Sequence, residues 1–183
     1  MNDVVDLIVK DHREPQRMFE ELRSDPTTRP TLAPLMSTLL FAHSRAEESE
    51  VYPSARAAGA QEDVEHSQEE HLVADRLAEQ LTALDPGSDE FGKVLGELVE
   101  AVTHHLEEEE ETLLPHLRER MSGDERDELG ERFLAARAGH LGDQPTDMTK
   151  AQLEQQARNI DLDGASTMNK EELKDELEDH AEL

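Results

Sequence analysis

The sequence predicts an all-α protein, and three observations lead to this prediction. Strong helix formers, above all Ala, Leu, Glu and Arg, dominate its 183 residues. Aromatic residues make up only 3%, with a single Tyr and no Trp, and no run of alternating β-branched residues indicates a strand. The 9 glycines and 8 prolines fall mostly where helices are expected to end. We therefore expect an up-down-up-down four-helix bundle, followed by a fifth helix and a small C-terminal helix-loop-helix.

Apolar residues at helical spacing set the bounds of the predicted helices. The first helix carries Pro15, which should kink it, and the second is closed by Gly59. The third stops at the turn that begins with Asp85, and the fourth ends at Ser122 and Gly123. The predicted helices cover about Asp3–Arg23, Thr31–Ala58, Gln61–Leu84, Asp89–Met121 and Asp124–Ala138.

The predicted organisation is a bundle over residues 1–140, a linker over 141–147 and a helix-loop-helix tail over 148–183. The tail contains a short repeat, because Met148-Thr-Lys-Ala-Gln-Leu153 returns as Met168-Asn-Lys-Glu-Glu-Leu173. Each copy has the pattern of a capping box at its helix start. Two helices this short bury little surface, so we expect the tail to dock on the bundle or on a protein partner.

Two further patterns in the tail are typical of calcium binding and of nucleic-acid binding, but other residues of the tail argue against both functions. Asn159-Ile-Asp-Leu-Asp-Gly164 imitates the start of a calcium loop, but Lys170 stands where that loop needs a bidentate glutamate. The two repeats also resemble the N-terminal helical module of the terminator Rho, which accompanies nucleic-acid binding in some proteins. Residues 147–182 carry 11 acidic and 4 basic residues, so attraction to phosphates is not expected here.

The composition of the whole chain excludes several classes of function. Its formal net charge is -27, with 45 acidic and 18 basic residues, which opposes binding to nucleic acid or to an anionic membrane surface. Cysteine is absent, so disulfides, thiolate metal sites and cysteine nucleophiles are excluded. The N-terminus lacks a signal-peptide pattern, and no apolar run approaches the length of a membrane span. We expect a soluble cytoplasmic protein.

One motif occurs twice, as His-x3-Glu-Glu-x4-Pro. The first copy runs from His43 through Glu47 to Pro53, and the second from His105 through Glu109 to Pro115. Residues four apart lie on the same side of a helix, so each copy presents an imidazole and a carboxylate together. Both pairs lie on apolar stripes, as does His12 in the first helix.

Burying these groups together without a cation would be costly. Repulsion between Glu47 and Glu109 would force one carboxylate to become neutral unless positive charge lay between them. Nitrogen ligands together with carboxylates that can bridge two ions suit a pair of iron ions. The sequence therefore predicts a metal centre inside the bundle.

At this point the chain resembles the hemerythrin-like, or HHE cation-binding, domains. The resemblance covers about residues 11–117 and rests on Asp-His12, His43-x3-Glu47, Glu-Glu-His71 and His105-x3-Glu109. It implies two iron ions, bridged by an oxo or hydroxo group, with the ligands His12, His43, Glu47, His71, His105 and Glu109. It also implies a non-haem di-iron protein that binds or reacts with O2, NO or peroxide, including decomposition of peroxide. The alternatives are a non-enzymatic iron sensor or iron-handling protein that signals through its tail, and a structural bundle without metal.

Two histidines of the third helix, His66 and His71, are alternative candidates for its metal ligand. The resemblance and the small Ala74 and Ala78 on the same face favour His71, since small side chains leave room for metal. The apolar residues Val73 and Leu77 instead lie close in angle to His66. The two histidines are separated by about 140° at 3.6 residues per turn, so only one of them is expected to reach the centre.

Counting ligands gives an expectation about reactivity. Two bridging carboxylates, one bridging oxygen and four histidines leave one open position on each octahedral iron. The oxygen carriers of the family have a further histidine, and this chain departs from them in lacking an obvious fifth. Sites open on both irons favour peroxide or nitric oxide chemistry, or sensing, over reversible carriage of oxygen.

The remaining candidates are single residues. Tyr52 could approach an open iron position, although core packing is the simpler interpretation. Glu48 and Glu110 could orient imidazoles, although exposed carboxylates are the simpler interpretation. Of the other histidines, His116 is expected to cap a helix and the rest to face solvent, namely His104, His140 and His180.

Overall fold

The structure is a computed structural model that describes residues 2–180, the side chain of Pro145 excepted. Met1 and residues 181–183, which belong to the predicted bundle and tail, lie outside the described residues. Within residues 2–180 the regular structure is helical and no strand occurs, which confirms the all-α prediction. The α-helices are α1 (Val4–Ser24), α2 (Arg29–Ala46), α3 (Tyr52–Ala57), α4 (Gln61–Ala83), α5 (Asp89–Glu111), α6 (Leu113–Arg120), α7 (Gly123–Gly139), α8 (Lys150–Asn159) and α9 (Lys170–His180).

The helices α1, α2, α4 and α5 form the bundle, and two apolar layers show that they alternate in direction. One layer joins the end of α1 to the start of α2, the end of α4 and the start of α5, with Leu22, Met36, Leu81 and Phe91 among its members. The other layer joins the start of α1 to α3, the start of α4 and α6. Because each helix passes from one layer to the other, its middle lies between two apolar cores. Any polar residue on the inner face there is buried.

Two helix irregularities follow the repeated motif. The predicted second helix continues from α2 to α3 through a π-helical turn at Glu47–Val51. The predicted fourth helix breaks at Thr112, where α5 ends and α6 begins. Each feature precedes a proline, Pro53 or Pro115, which lacks the backbone N–H that the next helical hydrogen bond would need. The π-turn contains Glu47 of the motif, which is consistent with the clustering of π-turns at functional sites.

The predicted fifth helix, α7, covers one side of the bundle. Phe133 packs edge-on against the ring of His43 with 5.9 Å between ring centroids, and Arg137 pairs with Asp11. Gly130 lies under the start of α1, where an added Cβ would come within 1.6 Å of the backbone oxygen of Asn2. The glycine thus permits the close approach that positions Phe133 and Arg137.

The tail packs on another face of the bundle, against α2 and α4. Its helices α8 and α9 form an apolar cluster with Phe41 of α2 and Leu72 of α4, to which Leu153 and Leu173 contribute from the tail. The predicted capping boxes at Thr149 and Asn169 are both present. The calcium-like loop is engaged by protein groups, since Asp161 pairs with Arg56 and accepts from Gln61. Across residues 2–180, none of the helices has the length and apolarity that a bilayer crossing requires.

Candidate metal centre

The six residues predicted as ligands meet between the two apolar layers. Their side chains come from four helices and the π-turn, and all six residues are buried, none of them more than 6% exposed as a whole residue. These residues are His12, His43, Glu47, His71, His105 and Glu109. The sequence pattern therefore brings together the groups that it predicts, at one level of the bundle.

The six side chains form two groups that share one carboxylate. His12, His43, Glu47 and Glu109 offer ligand atoms within 4.8 Å of one another, and so do Glu47, His71 and His105. In the first group His12 Nε2 lies 3.3 Å from Glu109 Oε2, and His43 Nε2 lies 3.1 Å from Glu47 Oε2. In the second, His71 Nε2 lies 3.4 Å from Glu47 Oε2 and 3.0 Å from His105 Nε2. Two groups joined by Glu47 are the arrangement expected for two neighbouring ions.

Several polar atoms at the centre are buried without a hydrogen-bond partner. They are His12 Nε2, His43 Nε2 and both carboxylate oxygens of Glu47 and Glu109. Buried polar atoms in native proteins are normally satisfied, because leaving one unpaired costs about 1–3 kcal/mol, more when it is charged. The unsatisfied atoms are nitrogen and carboxylate donors that converge on one place. The residues therefore fit bound cations.

The outer nitrogen of every imidazole faces a carboxylate. Such a contact fixes the orientation of a ligand imidazole and raises its basicity. The four contacts are Asp11 to His43 Nδ1 at 3.0 Å, Glu48 to His71 Nδ1 at 3.2 Å, Glu70 to His105 Nδ1 at 2.9 Å, and Glu110 to His12 Nδ1 at 2.9 Å.

These four carboxylates follow a simple rule in the sequence. Each is the chain neighbour of a central residue and serves the histidine of the next helix around the bundle. Asp11 and Glu70 precede a histidine, whereas Glu48 and Glu110 follow a glutamate. Adjacent residues on a helix point about 100° apart, so the neighbour of an inward-facing residue points toward the adjoining helix. The contacts thus run as a closed ring through α1, α2, α4 and α5.

The comparison with protein families decides the identity of this bundle. Residues 3–117 match the model of the hemerythrin HHE cation-binding domain. The chain belongs to this family. The match contains every helix of the bundle and all six central residues.

Two curated relatives are similar to this hemerythrin-like chain. A protein named DNA nickase from Nostoc sp. strain PCC 7120 is 30% identical over 149 residues, which are 79% of this chain and 42% of the relative. An uncharacterized hemerythrin-like protein of Schizosaccharomyces pombe is 28% identical over 130 residues, 68% of this chain and 64% of the relative. The chain thus spans less than two thirds of the length of each of these relatives. No solved structure matches it.

Strong electrostatic coupling links the central imidazoles and carboxylates of the hemerythrin-like bundle. Burial by itself would lower the pKa of His43, but Glu47 and Asp11 outweigh it and raise the pKa to about 10. Burial is likewise outweighed at His71, where Glu47 and Glu48 raise the pKa to about 9. Burial would raise the pKa of Glu47, yet His43 and His71 hold it well below its usual value. Positive charge is therefore strongly favoured at this centre, whether protons or metal ions supply it.

Glu48 connects the centre to the tail. Its Oε1 accepts hydrogen bonds from Arg45 at 2.6 Å, Gln68 at 2.7 Å and Gln156 of α8 at 3.3 Å, besides facing His71. Asn159 of α8 donates to the backbone oxygen of Glu48 at 3.2 Å. The simple interpretation of Glu48 as an exposed carboxylate is wrong, because its side chain is buried in this network.

Tyr52 is buried beside the centre. Its hydroxyl lies 3.1 Å from His71 Nε2, and its ring stacks on that imidazole at 5.3 Å. The π-turn explains this position. Tyr52 donates its backbone N–H to Glu47 five residues back, so it lies one wide turn above that glutamate. Burial, together with Glu109 and Glu47, raises the pKa of the phenol well above its usual value.

A small cavity of about 20 Å³ adjoins the centre. A cavity needs about 10–15 Å³ to admit a water molecule, so this one has room for a diatomic molecule and little more. His43, His71 and His105 border it, and its remaining wall is mostly apolar, from residues such as Ala74, Ala78, Val102 and Leu106.

The other histidines lie away from the centre. His66 is exposed, with 49% of its side chain accessible, so the structure brings His71 and not His66 to the central group. His104 is also exposed, and His116 Nε2 lies 3.1 Å from the C-terminal carbonyl of Ala58, as expected for a capping residue. His180, which has no partner in the sequence pattern, lies 2.9 Å from Glu69 of α4.

Sequence reasoning missed Asp11 and Glu70 as partners of imidazoles, and Gln68, Gln156 and Asn159 as partners of Glu48. The first two could have been found, because each stands directly before a central histidine. The amides carry no such signal. Their role depends on the way α8 packs against the bundle, which local sequence does not determine.

Proposed function

We propose that the buried centre holds two iron ions and that the protein binds or reacts with O2, NO or hydrogen peroxide. The observation that carries the proposal is a pair of buried ligand groups that share Glu47, the first of which has unpartnered nitrogen and carboxylate atoms. His12 and His43 would serve one ion and His71 and His105 the other, with Glu47 and Glu109 between them. Iron bound there would supply redox chemistry and open coordination positions for a small molecule.

The protein's own residues have three tasks in this proposal. The ring of outer carboxylates holds the imidazoles with Nε2 directed inward. The apolar layers and the mostly apolar cavity wall keep bulk water from the centre, and the cavity of about 20 Å³ has room for a molecule of two or a few atoms. Tyr52 holds a phenolic proton next to His71 and can donate a hydrogen bond to a molecule bound at the centre.

Iron content and optical absorption of the purified protein test the metal centre. We expect about two iron ions per chain and the near-ultraviolet absorption of a bridged diferric pair. His71→Ala should lower the iron content and the absorption strongly, whereas His66→Ala, one turn and a half away on the same helix, should leave both unchanged. Iron in stoichiometric amounts that persists in His71→Ala, or is lost in His66→Ala, would contradict the assignment.

Peroxide turnover tests the reactivity separately. The adjacent residues His104 and His105 offer a matched pair, since the first is exposed and the second faces the centre. His105→Ala should abolish turnover and His104→Ala should retain it. If the iron-loaded protein does not consume peroxide at all, the proposed reaction with peroxide is wrong. The proposed binding of NO or O2 is then tested by the change that each gas causes in the optical spectrum.

A second candidate function is an iron sensor that signals through the tail, and the contacts of Glu48 favour it. Gln156 and Asn159 of α8 touch a residue that also orients His71. A change in metal occupancy at His71 would therefore reach the tail through one carboxylate. Hydrogen exchange of α8 and α9 should slow when iron is added, and equal exchange rates in both forms would exclude this route.

The activity in the name of the Nostoc relative is not part of the proposal. Its name refers to DNA, whereas the present chain has a net charge of -27 and an acidic tail. A protein that binds DNA through its phosphates needs clustered positive charge.

A further inference from the structure

We propose that the protein carries a second metal site on its surface, for a divalent cation of the zinc type. The site is formed by His66 and Glu70 of α4 with His104 and Glu108 of α5. It lies outside the buried centre and shares none of the six central residues. It uses the same spacing, His-x3-Glu, once on each of two neighbouring helices.

The four ligand atoms surround one point. His66 Nε2 lies 3.7 Å from Glu70 and 3.4 Å from Glu108, and His104 Nε2 lies 3.6 Å and 3.3 Å from the same two carboxylates. All four atoms lie within 4.8 Å of one another. A tetrahedral zinc ion with ligands at about 2.0–2.1 Å holds them about 3.3 Å apart, so little movement is needed to close on an ion.

The separations fit an ion between the groups better than direct hydrogen bonds. Charge-assisted hydrogen bonds to carboxylates are about 2.7–2.9 Å long. The contact between Glu70 and His105, at 2.9 Å, has this length, whereas the four contacts of the surface group are all longer. Each carboxylate faces two imidazoles and each imidazole faces two carboxylates, which is the pattern of ligands around a common centre.

The donor set selects the class of cation. Two imidazoles and two carboxylates suit Zn²⁺, Co²⁺, Ni²⁺ or Cu²⁺, whereas Mg²⁺ and Ca²⁺ prefer oxygen ligands alone. Both histidines are accessible, with 49% and 67% of their side chains exposed, so a cation can enter and leave without opening the bundle. The strongly negative charge of the chain favours any cation at its surface.

Glu70 links this surface group to the buried centre. One of its oxygens faces His66 and His104, and the other lies 2.9 Å from His105 Nδ1. A substitution of Glu70 would therefore disturb both places. The histidines are the residues to change, because neither His66 nor His104 touches a central residue in the contacts described above.

The test uses Zn²⁺ as the probe on iron-loaded protein that has been freed of exposed cations by a chelating resin. Calorimetric titration and metal analysis should show one saturable zinc ion per chain, added without loss of iron. His66→Ala/His104→Ala should weaken zinc binding by more than about a hundredfold. Even mutation of residues that only hydrogen-bond to metal ligands lowers metal affinity by about 10–100-fold, and this variant removes two ligands. The control His140→Ala/His180→Ala removes two other histidines and should bind zinc as the unaltered chain does.

Three results would overturn the proposal. They are no saturable zinc ion in the unaltered chain, equal zinc binding in His66→Ala/His104→Ala, and zinc uptake that only replaces iron. Competition by excess Mg²⁺ at similar affinity would also contradict the donor set. The comparison between the two double variants isolates the surface ion whether or not the buried centre contains iron.

Discussion

The motif His-x3-Glu occurs at two depths in this protein. His43-x3-Glu47 and His105-x3-Glu109 face the interior, where their imidazoles are 8% and 6% exposed. His66-x3-Glu70 and His104-x3-Glu108 face solvent, where the imidazoles are 49% and 67% exposed. The spacing is the same in all four copies, so spacing alone produces a pair of ligands without determining what the pair does.

The surroundings make the difference between the two clusters. In the buried cluster each imidazole has its outer nitrogen held by a carboxylate, and apolar layers exclude water above and below. In the surface cluster the imidazoles face the carboxylates across 3.3–3.7 Å and are open to solvent. We therefore expect the buried cluster to retain its metal and depend on it for stability, and the surface cluster to exchange its cation freely.

The largest difference should follow removal of the carboxylate that both buried groups share. Glu47→Gln keeps the size of the side chain but removes an anionic donor, so we expect iron content to fall from about two ions per chain to nearly none. Glu108→Gln makes the same change in the surface cluster and should leave iron content unaltered. Metal analysis of the two purified variants checks this.

The proposed difference between the two clusters is wrong if the iron contents of the two variants are equal or the reverse of those expected. Full iron content in Glu47→Gln would mean that the two buried groups do not share this ligand. Loss of iron in Glu108→Gln would mean that the surface cluster supports the buried one. Circular dichroism of both variants separates loss of metal from loss of fold.

A second large effect concerns pH, and only the buried cluster should show it. In the metal-free protein the pKa of His43 is raised from 6.5 to about 10 and that of His71 to about 9. A raised pKa adds stability that is fully present below the ordinary value of 6.5 and is lost as pH rises through the raised value. The thermal midpoint of metal-free protein should therefore fall by several degrees between pH 6.5 and 10.

Iron should remove this pH dependence, because ligand imidazoles bound to metal cannot take up protons. Melting curves of iron-loaded and metal-free protein over the same pH range provide the measurement. His43→Gln should flatten the curve of the metal-free form, whereas His66→Gln should not. Parallel pH curves for the loaded and metal-free forms would contradict the coupling of His43 and His71 to the central carboxylates.

The depth of the buried cluster could be predicted for most of its residues from the apolar stripes. His12, His43, Glu47, His105 and Glu109 lie on stripes whose other members are clearly apolar, so their burial follows from helical periodicity. The sequence of the third helix is ambiguous, because its apolar residues Val73 and Leu77 lie close in angle to His66. The structure places His71 inward, where Ala74 and Ala78 border the cavity.

Other features could not be predicted because they depend on tertiary packing. The break at Thr112 and the π-turn at Glu47–Val51 each precede a proline, but the sequence does not determine which backbone geometry accommodates that proline. The surface cluster needs α4 and α5 in one particular register before His66 meets Glu108. The short helices of the tail predict docking on the bundle or on a partner, but the contact with Glu48 depends on the docked position alone.

A smaller effect should follow loss of the contact between the tail and the buried cluster. Asn159→Ala removes donors from the backbone oxygen of Glu48 and from Gln68 Oε1, both buried. Leaving such acceptors unpaired costs about 1–3 kcal/mol, and loosening an outer partner weakens metal affinity by about 10–100-fold. Urea unfolding and the rate of iron loss to a chelator measure the two effects.

Lys150→Ala, on the exposed side of α8, is the control and should change neither the stability nor the rate of iron loss. If Asn159→Ala loses iron no faster than the control, the tail does not support the buried centre.

The smallest effect should come from the surface cluster in the absence of any cation. His66→Ala/His104→Ala removes exposed side chains whose contacts to Glu70 and Glu108 are long and open to water, so the free energy of unfolding should change by less than about 0.5 kcal/mol. His43→Ala breaks a buried pair with Glu47 and Asp11 and should cost about 3–5 kcal/mol under the same conditions. Urea unfolding in the presence of a strong chelator gives both values.

Zinc added without the chelator should then stabilise the unaltered chain and not the surface double variant, because a cation that binds only the folded state adds its binding free energy to stability. A large loss of stability in the chelated double variant would show instead that the surface histidines hold α4 and α5 together, and that the two depths of the motif differ less than the structure indicates.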